Sequence, residues 1–363
     1  MLELKTKIYF DEDIVKKNSY EFSACGKKAL IVTGHSSEKN GALKDVEDVL
    51  NSQNILFEIF NDVEENPSIE TVMSGRDFGL KNSCDFLIAI GGGSIMDAAK
   101  AIAIMMTNED KGADYLYDVN AATNFVSGKS YKLYEIIAIP TTCGSGAEVT
   151  GNAVLTIHKN KTKGSAVHKQ FPKVALIDGK YILNAPANII KRTSLDALSH
   201  LIESYVNTKA NVWTRQFAEM GMSIWAKTKK YLLDKVSIDS DICKYLMMSS
   251  TYAGICISHT GTSIPHRLSY RVTYGDKISH GTAVAYFLAN FLDECEEKEE
   301  VLKYIGFNNI KEFSVFIDKV IGYIKVDKEL IEKGIDEILK NEKVLNSVKF
   351  KVDKDVLIKI GKI

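Results

Sequence analysis

The feature that most constrains the fold is the junction between an apolar strand and a helix at residues 85 to 103. The run DFLIAI predicts a buried strand, and it passes without a linker into GGGSIMDAAKAIA, which favours a helix. Upstream, GKKALIVTG (26–34) and ILFEIFNDV (55–63) predict two more strands, each followed by a helical segment. Strands that alternate with helices predict a parallel, doubly wound sheet covered by helices on both faces. Ligands of such sheets bind beyond the carboxyl ends of the strands.

Three successive glycines at the end of the DFLIAI strand predict a phosphate-binding turn. Gly91, Gly92 and Gly93 have no Cβ, so backbone N–H groups can approach a pyrophosphate, and the helix N-terminus adds partial positive charge. The spacing is not G-x-G-x-x-G, the common dinucleotide fingerprint. Ser94 and Asp97 also match a capping box that any helix could carry. We expect both roles, with the cap shaping the turn and the glycines binding phosphate.

A second polar turn follows the predicted strand YEIIAIP. Its sequence is TTCGSGAEVTG, and Thr141, Thr142 and Ser145 could form a rim that faces the same crevice. The downstream residues 152–178 are predicted to form a β-hairpin region that includes the strand VALID. Within this region Lys163 could reach a phosphate, although a solvated charged turn explains the residue equally well.

A carboxylate and three imidazoles in the second half are spaced so that one metal ion could bind them. Asp196 and His200 lie four apart in TSLDALSHLIESYV, an apolar, helix-favouring run, so both project from one helix face. His266 and His280 follow in segments that contain Gly and Pro, where functional residues tend to occur. One Asp with three His suits a divalent transition metal such as iron or zinc. The alternative is that Asp196 lies on a helix surface and the histidines are scattered, but three of the seven histidines join this set.

Charge and cysteine content exclude several classes of function. The chain has 46 basic and 47 acidic residues, so no global field attracts nucleic acid or an anionic membrane. The six cysteines show no C-x-x-C spacing, the N-terminus has no apolar signal-peptide region, and no apolar run approaches a membrane span. We therefore expect a cytoplasmic protein with reduced thiols and with no nucleic-acid or membrane partner. A length of 363 residues predicts two domains, and strand patterns become rare after about Lys180.

Five segments together resemble the iron-containing (group III) alcohol dehydrogenases, whose relatives include glycerol dehydrogenase and dehydroquinate synthase. They are GGGSIMDAAKAIA (91–103), IPTTCGSGAEVT (139–150), VALID (174–178), DALSHLIESY (196–205) and the fourteen-residue interval from His266 to His280. The resemblance implies an α/β dinucleotide-binding domain, residues 1–180, and an all-helical metal-binding domain, residues 181–363. It also implies a homodimer and a divalent metal, usually Fe(II) with Zn(II) as the alternative, in a cleft between the domains.

The same resemblance assigns roles by position. The implied metal ligands are Asp196, His200, His266 and His280. The implied cofactor-binding residues are Asn66, Gly91, Gly92, Gly93, Ser94, Thr141, Thr142 and Lys163. From the sequence of the two turns we also expect Asp97 and Ser145 to belong to the cofactor site. The implied reaction is hydride transfer between a nicotinamide and a small primary alcohol or aldehyde. Two alternatives stay open: a dehydroquinate-synthase-like or polyol-active relative, and a nucleotide-binding homologue with impaired catalysis.

Two positions depart from the family pattern. Many members carry a second histidine four residues after the ligand at 266, whereas this chain has Tyr270. If that histidine relays a proton in the family, this chain must use Tyr270, a water chain or the substrate ribose, and Tyr270 is the candidate side chain. NAD-preferring members tend to carry an Asp at the end of the IVTG strand, whereas this chain has Gly34. The residues that follow include His35, Ser36, Ser37 and Lys39. Loss of the carboxylate removes repulsion of a 2′-phosphate, and Ser and Lys supply donors for it, so we predict a preference for NADP(H).

Overall fold

The chain folds into two compact units. The computed structural model describes residues 3–34, 36–120, 134–160 and 162–363. The α/β unit consists of Glu3–Thr142 and Ala147–Asn184, and the helical unit consists of Cys143–Gly146 and Ala185–Ile363. The tetrapeptide Cys143–Gly146, which we expected in the first domain, thus groups with the helical unit.

The α/β unit is built on a six-stranded parallel sheet. In chain order its strands are β1 (Lys7–Phe10), β2 (Lys28–Thr33), β3 (Leu56–Phe60), β4 (Phe86–Gly91), β5 (Ile136–Pro140) and β8 (Val174–Ile177). Their order across the sheet is β1-β8-β5-β4-β2-β3. The parallel sheet predicted from the sequence is confirmed.

A separate antiparallel hairpin pairs β6 (Val154–Ile157) with β7 (Thr162–Ser165). The prediction that VALID belongs to the hairpin region is wrong, because β8 joins the main sheet between β1 and β5. All four residues of β8 are buried. A short apolar run that is buried on both faces belongs in a parallel sheet, which explains why VALID lacks the alternation of a hairpin strand.

Helices cover both faces of the main sheet. They are α1 (Ile14–Lys17), α2 (Tyr20–Ser23), α3 (Ser36–Lys39), α4 (Ala42–Ser52), α5 (Ile69–Lys81) and α6 (Gly93–Thr107). In β4, Leu87 and Ala89 pack into one apolar cluster, whereas Phe86, Ile88 and Ile90 pack into the other. The continuous apolar run DFLIAI is therefore explained by burial on both sides.

The order of strands reverses beside β4. Strand β4 hydrogen-bonds to β2 on one side and to β5 on the other. The chain first adds β3 outside β2 and then returns to place β4 on the opposite side of β2. Ligands of open α/β sheets bind at such a switch point, beyond the carboxyl ends of the strands. Here those ends are Thr33 in β2 and Gly91 in β4.

The helical unit is centred on one long helix, α7 (Ala187–Val206), which packs against α8, α10 and α12. The helices after α7 are α8 (Val212–Ala226), α9 (Lys229–Leu232), α10 (Ser240–Thr260), α11 (Ile264–Gly275), α12 (His280–Asp293), α13 (Lys298–Ile305), α14 (Ile310–Ile321), α15 (Lys328–Ile338), α16 (Glu342–Leu345) and α17 (Lys354–Gly361). Among the described residues, no helix is long and apolar enough to cross a membrane.

Because much of α7 is buried, its polar side chains need hydrogen-bond partners. Every residue from Ser194 to Val206 is buried. The hydroxyl of Ser194 accepts a hydrogen bond from Trp225 Nε1 at 2.8 Å, and the Ser204 and Thr260 hydroxyls lie 2.9 Å apart. Buried polar groups normally find such partners because an unpaired one costs about 1–3 kcal/mol. The polar side chains of α7 that lack a partner therefore need a separate explanation.

Candidate active site

Helix α6 begins directly after β4, and no side chain caps its N-terminus. Gly92 is the N-cap, and α6 starts at Gly93. Ser94 is instead the second helical residue, and its Oγ accepts a hydrogen bond from the N–H of Asn66 at 3.0 Å. The predicted capping box of Ser94 and Asp97 is therefore wrong. The first N–H groups of α6 have no intrahelical acceptor, which is the arrangement that suits an anion.

Two of the glycines have a packing reason that the sequence did not reveal. A Cβ at Gly91 would overlap the side chain of Ile95, and a Cβ at Gly92 would lie 2.8 Å from Thr142 Oγ1. The N–H of Thr141 donates to Gly91 O at 3.0 Å. Thr141 and Thr142 therefore adjoin the turn. Packing by itself is a sufficient reason for glycine at positions 91 and 92.

Asn66 connects three of the predicted cofactor residues. It has a left-handed backbone with φ of 62°, and its N–H donates to Ser94. Its Oδ1 accepts from Lys163 Nζ at 2.6 Å, and its carbonyl accepts from Thr156 Oγ1 at 2.7 Å. Asn66, Ser94 and Lys163 thus form one hydrogen-bonded group beside the start of α6. Thr156, which fixes this group, lies in the ordinary strand sequence VLTI and carried no signal.

The turn after β2 has space for a larger residue at Gly34. A Cβ there would lie 3.4 Å from Ile95 Cδ1, which is ordinary van der Waals contact. The short helix α3 follows, and its Ser36 and Lys39 are exposed. Glu38 in the same helix is also exposed, so the turn is not purely basic. Lys39 and Ser36 remain accessible to a phosphate group.

Ser37 is not accessible in the same way. It is fully buried, its hydroxyl donates to Gly34 O at 2.9 Å, and it accepts from Thr33 Oγ1 at 2.6 Å. Its side chain therefore holds the turn in shape and has no free donor for a 2′-phosphate. His35 lies outside the described residues.

Asp97 faces the interior of the α/β unit. Its Oδ2 accepts from the N–H of Val154 at 3.1 Å, and its Oδ1 lies 3.5 Å from the ammonium of the fully buried Lys100. Lys100 also donates to Thr150 Oγ1 and to the carbonyl of Asn152. Burial raises the pKa of Asp97 and lowers that of Lys100, and their mutual attraction opposes both shifts. The geometry therefore gives Asp97 structural partners within the α/β unit.

The helical unit brings the predicted metal ligands together. Asp196 and His200 share one face of α7, His266 lies in the first turn of α11, and His280 is the first residue of α12. Ligand atoms of the first three lie within 4.8 Å of one another. Asp196 Oδ1 is 3.5 Å from His266 Nε2 and 3.6 Å from His280 Nε2. Two ligands of a tetrahedral divalent metal lie about 3.4 Å apart, since each bond is close to 2.1 Å.

Several of these atoms have no hydrogen-bond partner. Asp196 Oδ1, His200 Nδ1 and His266 Nε2 are buried and unpaired within the part of the chain that the structure describes. Three unpaired polar atoms in one buried cluster would cost several kcal/mol in total, at about 1–3 kcal/mol each. A carboxylate oxygen and imidazole nitrogens are ligands for Fe(II) or Zn(II), so the residues present fit a divalent metal.

The electrostatics of the cluster favour a cation. Burial alone lowers the pKa of His266, but Glu203 and Asp196 outweigh it and raise that pKa to about 9. Burial lowers the pKa of His200 to about 4. Burial opposes ionisation of Asp196, yet His200 and His280 hold its pKa below the usual range. An ionised carboxylate beside a neutral imidazole is a ready metal-binding pair.

Sequence reasoning missed Glu203, which contacts a predicted ligand. Its Oε1 lies 2.5 Å from His266 Nδ1, and Glu203 also accepts from the backbone N–H of Ser263. Glu203 has no exposed surface. A signal was present, because Glu203 lies seven residues after Asp196 and three after His200, on the same face of a helix.

Tyr270 and Ser145 occupy different surroundings. The ring of Tyr270 lies 6.1 Å from that of His280, and the guanidinium of Arg267 lies 5.6 Å from the Tyr270 ring centre. Tyr270 is therefore next to the ligand cluster. Ser145 belongs to the tetrapeptide that groups with the helical unit, whereas the other predicted cofactor residues belong to the α/β unit.

Family comparisons agree with this arrangement. Residues 5–179 match the family described as iron-containing alcohol dehydrogenase, and residues 190–340 match the C-terminal domain of the Fe-containing alcohol dehydrogenase family. The chain belongs to the iron-containing alcohol dehydrogenase family. The resemblance inferred from the sequence motifs is confirmed, and the family implies iron and a nicotinamide cofactor.

Relatives of the chain within this family differ in their nicotinamide. The NAD-dependent methanol dehydrogenase of Bacillus methanolicus is 32% identical over 258 residues, which cover 70% of this chain and 65% of that protein. The NADPH-dependent butanol dehydrogenase of Clostridium saccharobutylicum is 28% identical over 327 residues, covering 86% and 82% of the two chains. The crystal structure of an iron-containing alcohol dehydrogenase from Thermotoga maritima superimposes with a TM-score of 0.88, at 29% identity, over 100% of this chain and 97% of that one.

Proposed function

We propose that the protein is a metal-dependent alcohol dehydrogenase and aldehyde reductase that transfers a hydride between a nicotinamide and a small primary alcohol or aldehyde. The observation that carries the proposal is the buried cluster in which Asp196 Oδ1 and His266 Nε2 lie 3.5 Å apart without hydrogen-bond partners among the described residues. A structural cluster would pair these atoms, whereas a metal site must leave them free for the ion.

Four side chains would hold the metal, which we propose to be Fe(II). They are Asp196, His200, His266 and His280. A bound metal would supply Lewis acidity to the substrate oxygen, and a bound nicotinamide would supply or accept the hydride. The buried residues of α7 keep bulk water away from Asp196 and His200, which strengthens their attraction for the cation.

Tyr270 is proposed as the residue that exchanges a proton with the substrate oxygen. Its ring adjoins that of His280, at 6.1 Å between centroids, and the Arg267 guanidinium lies 5.6 Å from the ring centre. Tyr270→Phe should lower kcat about 10²-fold or more. The dissociation constant of the metal should stay unchanged, because Tyr270 is outside the ligand set. An unchanged kcat would remove Tyr270 from the reaction.

The main experiment is anaerobic reconstitution with Fe(II), with Zn(II) as a parallel arm. NADPH oxidation would be measured with straight-chain aldehydes and separately with polyols and hydroxyacids. We expect aldehyde reduction that depends on the metal and that is lost in Asp196→Asn and His266→Ala. If His266→Ala retains full metal content and activity, the proposed site is wrong. Release of inorganic phosphate from a sugar phosphate without net cofactor turnover would identify a lyase instead.

NADP(H) is the proposed cofactor, on the basis of the turn after β2. Gly34 offers no carboxylate against a 2′-phosphate, and Ser36 and Lys39 are exposed in the next helix. Lys39→Ala should lower kcat/KM for NADPH about tenfold and leave that for NADH nearly unchanged. Lys44→Ala, which removes an exposed lysine paired with Asp48, is the matched control and should change neither value.

Gly34→Asp tests the same proposal from the opposite direction. The position has room for a Cβ, so the variant should fold. The added carboxylate should repel the 2′-phosphate and accept from the ribose hydroxyl of NADH, which reverses the preference by roughly 100-fold. A wild-type enzyme that uses NADH with the higher kcat/KM would refute the preference.

Assembly and location are proposed from the family and from the thiols. A homodimer is the proposed assembly, which light scattering would measure directly. All six cysteines are free, five of them buried, which supports a reducing compartment such as the cytoplasm.

A further inference from the structure

Glu203 is a buried carboxylate that the proposed reaction does not use. It lies on α7 with no exposed surface, and both of its oxygens point to the start of α11. Oε1 is 2.5 Å from His266 Nδ1, and Oε2 accepts from the N–H of Ser263, the N-cap of α11. One carboxylate thus contacts both the backbone that begins α11 and the imidazole that α11 presents.

The contact determines which nitrogen of His266 is available. An ionised carboxylate has acceptors only, so the hydrogen bond to Oε1 requires a proton on Nδ1. In the form that binds a metal the ring is neutral, and its lone pair is then on Nε2. That atom lies 3.5 Å from Asp196 Oδ1 and has no hydrogen-bond partner among the described residues. The carboxylate and the open nitrogen are therefore on opposite sides of one ring.

We infer that Glu203 is a positioning residue that fixes the tautomer and the orientation of His266 for metal binding. The inference rests on the proposed metal site. Carboxylates that accept from a ligating histidine orient the ring and increase its basicity. Glu203 also brings a second negative charge to the cluster beside that of Asp196, and two carboxylates balance the charge of a divalent cation when the imidazoles are neutral.

A purely structural role for Glu203 is the competing explanation. The bond to Ser263 alone could serve to fix the start of α11, and its loss would then lower stability without changing the folded site. The two roles differ in what they do to metal affinity. Loss of orientation weakens the binding of the metal to the folded protein, whereas loss of a helix contact does not.

Glu203→Gln separates the two roles because an amide has one acceptor oxygen for two donors. One of the bonds to His266 and Ser263 must then be lost, and the negative charge is removed. Glu297→Gln is the matched control, since Glu297 is also a buried carboxylate of the helical unit, bonded to Arg215 and Lys349 and to no proposed ligand. Both variants should lose stability, but only the first should change the metal site.

The readouts are the dissociation constant of Zn(II), by competition with a chelator, and the visible spectrum of the Co(II)-loaded protein. We expect Glu203→Gln to raise the dissociation constant about 10- to 100-fold and to shift the Co(II) bands, with Glu297→Gln close to wild type. Circular dichroism would confirm that each variant is folded. Glu203→Asp, which keeps the charge but withdraws it by one methylene, should weaken binding in the same direction and decides the matter if the Gln variant does not fold.

Failure of the inference and failure of the metal site give different results. If Glu203→Gln and Glu203→Asp bind Zn(II) and Co(II) like wild type while Asp196→Asn does not, the positioning role is refuted and the metal site stands. If Asp196→Asn and His266→Ala also bind as wild type does, the proposed metal site itself is wrong.

Discussion

Gly281→Ala should damage the metal site without removing a ligand. Gly281 is the second residue of α12, directly after His280, and α12 packs against α7 at this point. A Cβ at Gly281 would overlap the carbonyl oxygen of Arg192 and lie 3.2 Å from Asp196 Cβ. Both obstacles are in α7, and the carbonyl is backbone, so no side chain can rotate away.

The size of the effect follows from this overlap. The two helices must separate by roughly 1 Å before the Cβ and the carbonyl oxygen reach normal contact. Metal sites tolerate deviations of about 0.2 Å in ligand distance, so His280 would move well beyond that limit relative to Asp196. Overpacking of this kind costs about 1–3 kcal/mol, and Ala would otherwise stabilise a helix relative to Gly by about 0.5–1 kcal/mol. The net loss should be close to 1–2 kcal/mol.

The assay uses the two tryptophans, which both lie in α8 of the helical unit. Trp225 is fully buried, so its fluorescence during urea unfolding reports on this unit. Gly334→Ala is the control, because a Cβ in α15 would find its nearest atom at 3.4 Å and should be neutral or stabilising. We expect Gly281→Ala to lose both stability and Zn(II) affinity. A variant as stable as wild type with full metal content would refute the packing argument.

Three further predictions concern the α/β unit and the metal. Lys100→Met should lower the free energy of unfolding, measured in urea, by about 2–3 kcal/mol, because the Asp97 side chain, only 18% exposed, loses its cation. Adding Asp97→Asn to this variant should restore part of the lost stability. Asn66→Ala should weaken NADPH binding about tenfold, because Ala neither favours φ of 62° nor accepts a hydrogen bond from Lys163. Asn66→Gly, which tolerates that φ, should lose less NADPH affinity. Equal losses of affinity in a fluorescence titration would contradict the backbone argument. Chelation of the metal should abolish aldehyde reduction but change the NADPH dissociation constant less than about twofold, since the proposed metal ligands and the proposed cofactor residues are different side chains. A parallel loss of NADPH binding would contradict this expectation.

Periodicity was sufficient to predict the sheet and the helical second half. Apolar strands followed by helices determine a parallel sheet, and DFLIAI is long enough to require burial on both faces. VALID was misassigned because four apolar residues do not show which strands lie beside them. The missing information was the long-range pairing of β8 with β1 and β5.

Local sequence also had limited power at the predicted sites. Spacing placed Asp196 and His200 on one face of α7, but the hydrogen bond from His266 to Glu203 joins residues 63 apart. Ser94 matched a cap by pattern, yet the helix begins before it and its hydroxyl meets Asn66 across 28 residues. Ser37 is polar in the sequence and buried in the fold. For Glu203 and Ser94 the deciding partner came from a distant segment, whereas the partners of Ser37 lie three and four residues before it.

The grouping of Cys143–Gly146 with the helical unit has a consequence for recombination between homologues. Gly144 leaves no space for a Cβ beside Thr193, and Gly146, with φ of 59°, lies against the backbone of Gly254. A chimaera with one crossover near residue 184 would graft a foreign tetrapeptide onto these helices. Exchange of whole units requires additional crossovers on both sides of Cys143–Gly146. Libraries that shuffle nucleotide specificity among such enzymes should therefore keep this segment with the helices.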